Sequence, residues 1–85
     1  MRRYLVRAAR CGRQPVYYYL LADKERDGRR GYGILVESGE ERAEIHRIAS
    51  SRCRVQSLLK ALIRRRVKPV HVRYIVEDWL YVYNL

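Results

Sequence analysis

The chain of 85 residues has no run of eighteen apolar residues, so no helix in it can span a bilayer. The stretch Met1 to Arg7 holds no apolar segment of signal-peptide length, and the expected location is the cytoplasm. Cysteine is scarce, with only Cys11 and Cys53. Adding His46 and His71 makes four ligand types, but that spacing matches no zinc pattern. Neither a metal nor a cofactor is expected. A reducing cytosol also disfavours a disulfide between the two thiols. Cys53 sits between Arg52 and Arg54, which favours a thiolate, but a small half-buried thiol is the simpler reading. Both histidines lack a Ser, Cys or Asp partner at a recognisable spacing. Glu77 and Asp78 are helix neighbours and point in different directions. An enzyme is therefore not expected, and no small-molecule substrate is evident. No repeat, linker or low-complexity segment divides the chain, so residues 1–85 form one domain.

What the chain has in excess is positive charge. Nineteen basic side chains face nine acidic ones, a net +10. That imbalance favours contact with polyanions. Sixteen of the nineteen are arginine, a bias that a G+C-rich genome also produces.

The most regular apolar spacing lies between Ser51 and Tyr83. Val55, Leu58, Leu59, Leu62 and Ile63 fit one face of an amphipathic helix. Ser50 or Ser51 can cap its start, and Pro69 ends it near Arg66 or Val67. Val72, Ile75, Val76, Trp79, Leu80 and Tyr83 predict a second helix after Pro69. The β-branched residues of 70–76 would also suit a strand. The helical period continues through Glu77-Asp78-Trp79-Leu80 and decides for the helix. Two helices around a short turn suggest a DNA-reading pair, but Glu77 and Asp78 on the second repel phosphate.

The first half of the chain reads as strands. Arg3 to Ala9 alternates, with Tyr4, Val6 and Ala8 on one side. Val16 to Leu21 follows, then Tyr32 to Glu37 and the weaker Arg42 to Ile48. Asp27-Gly28 marks a hairpin turn between the second and third strands. Gly33 inside a strand predicts a bulge or a close contact. The fold expected is α+β: an antiparallel sheet of three to four meander strands, followed by two C-terminal helices packed on one face. Core candidates are Val6, Val16 or Tyr17 with their same-face partners (Tyr18 and Leu20, or Tyr19 and Leu21), Ile34, Val36, Ile45, the apolar helix positions and Trp79, with Trp79 as the largest packing residue.

Several short motifs carry a resemblance. They are Tyr32-Gly33-Ile34, Ile48-Ala49-Ser50, Pro69-Val70-His71-Val72 and Val76-Glu77-Asp78-Trp79-Leu80. From Tyr17 to Leu80 the chain resembles a family of short cytoplasmic bacterial proteins that end in a Pro-x-His-Leu … Val-Glu-Asp-Phe-Leu pattern. The resemblance implies strands followed by two helices, and it implies no activity. The arginine load, including Arg52 and Arg54, departs from the family pattern.

Two functions remain in view. One is a nucleic-acid-binding module. Its phosphate contacts would come from Arg26, Arg29 and Arg30 at the hairpin and from Arg52, Arg54, Lys60, Arg64, Arg65 and Arg66 on the first helix. Tyr17 and Tyr19 would stack on bases from an exposed sheet face that Tyr4, Tyr18 and Tyr32 could extend. Cross-strand packing is the plainer role for those rings. The other function is a protein-interaction or regulatory module, self-associating or with a protein partner, using Tyr and Arg at an interface and the apolar tail from Tyr81 to Leu85. A continuous basic stripe would favour the first, and arginines paired with Glu37, Glu40, Glu41 and Glu44 would be the bland outcome.

Overall fold

The computed structural model describes residues 2–24 and 30–83. Four strands come first: β1 (Arg2–Cys11), β2 (Gln14–Lys24), β3 (Arg30–Ser38) and β4 (Glu41–Ala49). Two helices follow, α1 (Arg52–Arg64) and α2 (Pro69–Tyr83). The strands pair antiparallel in chain order, and the helices pack on one face. This is the α+β meander that alternation and helical period predict, and 70–76 is helix. The Asp27-Gly28 turn, with Arg26 and Arg29, lies outside the described residues.

Alternation along β2 decides what is covered. Val16, Tyr18 and Leu20 face the helices, as do Ile34 and Val36 of β3. They meet Val55, Leu58, Leu59 and Leu62 of α1 and Val72 and Val76 of α2. The bounds of α1 follow from its caps. Ser51 is the N-cap, and its Oγ accepts from the Arg54 N–H at 3.4 Å. At the other end the Val67 N–H returns to the Leu62 carbonyl and the Arg66 N–H to that of Ile63, both at 3.0 Å. These two bonds form a Schellman motif, with Arg66 in the left-handed position that glycine normally fills.

Two strand irregularities matter. In β3, a Cβ at Gly33 would collide with the Ile45 carbonyl oxygen and lie 2.9 Å from the His46 Cα. Here β4 bulges, and Arg47 adopts φ 53°. In β1, Leu5 pairs with Tyr19 but Arg7 pairs with Tyr18, so Val6 is an extra residue. The bulge inverts the expected alternation beyond Leu5. Arg2, Tyr4, Arg7 and Ala9 therefore share the helix side, and Leu5 and Ala8 the other.

Two expected packing roles fail. Val6 is 45% exposed, because the bulge lifts it out of the pleat. Trp79 is only half-buried at the edge of the core, with the Arg54 guanidinium 5.8 Å from its ring centre. Tyr81 and Val82 are exposed. Leu21, on the Tyr17 side of β2, and Leu35, not among the expected core residues, are fully buried on the helix-free face. Beside them ion pairs run from strand to strand. Arg3 meets Glu37 at 3.8 Å, Arg42 meets Glu37 at 3.8 Å and Glu44 at 3.0 Å, and His46 touches both Glu44 and Asp23 at 3.1 Å.

Candidate nucleic-acid interface

The helix layer is narrower than the sheet. α1 rests mainly on β2, β3 and β4, and α2 on β4 and β3. The helix side of β1 is therefore left open, and Tyr4 is 42% exposed there. A cleft results, with β1 as one wall and the outer flank of α1 as the other. The two elements run in the same direction along it. Arg52 near its start, then Lys60 and Arg64, are spaced along one side of α1, as the i, i+4 rule requires.

Two depressions lie end to end in this cleft. The larger, about 680 Å³, is lined by Val6, Arg7, Ala8, Ala9 and Arg10 of β1 and by Lys60, Ile63, Arg64 and Arg66 of α1 and its cap. Five of those side chains are cations and none is an acid. The smaller, about 350 Å³, holds Arg2, Arg30 and Arg52 with the rings of Tyr4 and Tyr32. The Arg52 guanidinium lies 5.9 Å from the Tyr4 ring centre and joins the two walls. Among the described residues Asp23 is the one acid lining this depression, and its Oδ2 is engaged by the His46 Nδ1. The ion pairs described above hold Arg3, Arg42 and His46 and reach none of Arg2, Arg7, Arg10, Arg52, Lys60 or Arg64.

The residues named from sequence divide accordingly. Arg30 and Arg52 meet in the smaller depression, and Lys60 and Arg64 in the larger. Arg54 turns to Trp79, away from the cleft. Arg65 caps α1, is exposed, and lines neither depression. Arg26 and Arg29 lie outside the described residues. Tyr17 and Tyr19 lie on the helix-free face, where Tyr19 is half-buried with the Arg3 guanidinium 5.8 Å from its ring centre. That is the opposite side of the sheet from the cations of the cleft. Tyr18, offered as an extension of that face, is fully buried on the helix side. Arg66, also named with the first helix, lines the larger depression, and the cations that sequence reading missed are Arg2, Arg7 and Arg10. Only the β1 bulge brings Arg7 to this side.

Among the described residues no group of His, Cys, Asp and Glu is arranged to hold a metal. Cys53 is a free, exposed thiol. What the cleft offers is a predominantly cationic surface with two aromatic rings. A family model matches residues 4–82 of the chain.

The chain belongs to DUF6514, a family of unknown function. No curated protein and no solved structure matches it. The part matched to DUF6514 begins at Tyr4 and ends at Val82, so it takes in most of β1 and all of α1. Both walls of the cleft belong to the family's extent rather than to an appendage of this member.

Proposed function

We propose that this DUF6514 protein binds nucleic acid through its phosphates, in the cleft between β1 and α1. One observation carries the reading: the larger depression has cations on both walls and no carboxylate. Like charges gathered in a concave surface repel one another, and a polyanion relieves that repulsion. Apart from Asp23 at the smaller depression, the acids of the described chain stand elsewhere, chiefly on the helix-free face and on α2. Scattered compositional arginines would mix with them.

The test is fluorescence anisotropy with mixed-sequence DNA and RNA from low to physiological salt. With about four to six phosphates neutralised, the log–log salt slope is expected near −3 to −5. Absence of binding tighter than about 100 μM at physiological salt overturns the reading.

A second reading, a protein-interaction module, draws on a different surface. Val70, Tyr74 and Tyr81 are exposed on one side of α2. Self-association through it predicts a dimer in sedimentation that Tyr74→Glu disperses. That result is independent of the cleft.

A further inference from the structure

We infer that the cleft takes single-stranded nucleic acid, with one base seated against Tyr4 and Tyr32 in the smaller depression. The inference rests on the reading of the cleft as a phosphate-binding surface. Three observations carry it beyond that reading.

The first is shape. The cleft is an inside corner between a helix flank and a strand, so its cations converge on one line. Beside α1 the sheet extends outward by a single strand, a spacing of about 5 Å. One sugar-phosphate chain can lie in such a corner. A duplex is a wide convex rod, and it would rest on the rims and reach few of the inner cations. The thirteen residues of α1 give the cleft a length of roughly 20 Å, enough for about three to six nucleotides.

The second is the company the rings keep. The 350 Å³ depression combines two tyrosine rings with Arg2, Arg30 and Arg52. Cations alone would serve any polyanion. An aromatic face beside them suits an unpaired base, because every base has a π-face and a paired base keeps its own covered. An acidic peptide offers nothing to stack.

The third is availability. Tyr4 is 42% exposed, and among the described residues no strand lies outside β1 to cover it. Its ring meets Arg52, a cation that can also hold the phosphate next to a stacked base.

The experiment uses the full chain and labelled, mixed-sequence RNA and DNA of about twelve nucleotides, in single-stranded and duplex form. Polyglutamate serves as competitor. The expected result is single-strand binding at least about ten-fold tighter than duplex binding. Tyr4→Leu should lose roughly ten-fold on single strands, leave duplex binding unchanged and melt like the parent. Tyr4→Phe should bind single strands as the parent does, since the ring is what stacks. Equal affinity for both forms with no effect of Tyr4→Leu overturns the inference and leaves phosphate binding standing. Polyglutamate displacing single strands as well as unlabelled single strand does also overturns it. No binding to either form overturns both readings.

Discussion

The Tyr18 hydroxyl donates to the Val67 carbonyl oxygen at 3.0 Å, across 49 positions of sequence. The ring stands at the centre of β2 and is fully buried. The carbonyl lies in the turn between α1 and α2, just past the Schellman motif. A strand in the middle of the sheet thus holds the joint between the helices.

Tyr18→Phe keeps the ring and removes the donor. The Val67 carbonyl then loses a buried partner, at a cost of about 1–2 kcal/mol. In a domain this small the melting temperature should fall by roughly 5–10 °C. A melt coincident with the parent's would show that the bond contributes nothing.

Gly33→Ala tests the close approach of β3 to β4. Its Cβ would meet the Ile45 carbonyl, which is backbone and cannot rotate away. The expected loss is above about 2 kcal/mol, read from a urea melt. An alanine variant of parental stability would mean the β4 bulge is not held where it stands.

Arg66→Gly separates stability from binding. Left-handed backbone costs a non-glycine residue about 1–2 kcal/mol, partly offset by glycine's greater freedom in the unfolded chain. The variant should gain about 0.5–1 kcal/mol. It should bind nucleic acid more weakly, because Arg66 lines the larger depression. Strain retained at a site that gains from it is the pattern expected of functional positions. Unchanged affinity would remove Arg66 from the interface.

Arg3 and Arg7 lie four residues apart on one strand and on opposite faces of the sheet. Arg3→Gln and Arg7→Gln remove the same charge. If the cleft is the binding surface, Arg7→Gln lowers affinity and reduces the salt slope by about 0.7–0.9, while Arg3→Gln changes it little. Equal losses in anisotropy would point to diffuse attraction by net charge alone.

Most of the fold was legible because its signals are local. The 3.6 period of Val55, Leu58, Leu59 and Leu62 and the alternation of Val16, Tyr18 and Leu20 each name a face without help from elsewhere. Gly33 announced the bulge opposite it. The cleft was only half legible. Lys60 and Arg64 stood out as cations on a polar helix face, but their partners on β1 depend on one extra residue at Val6. Alternation alone sets Arg7 with Arg3, on the wrong side. Where α1 lies across the sheet is likewise a matter of packing, and it decides that β1 rather than β4 is left open. Trp79 misled for a related reason: a large ring at a core-period position sits at the helix layer's rim, where Arg54 shares it with solvent.

The separation of charge between the two sides has a kinetic consequence. Among the described residues, carboxylates gather on the helix-free face and on α2, and cations in the cleft, which gives an electric dipole as well as a net charge. Near a polyanion that dipole exerts a torque. It turns the cleft toward the partner before contact, and productive encounters become a larger share of collisions. Salt should therefore slow association as well as weaken the complex. A variant with Glu37 and Glu44 replaced by glutamine, though more basic overall, should gain less in association rate than its added charge implies, because it arrives less well oriented.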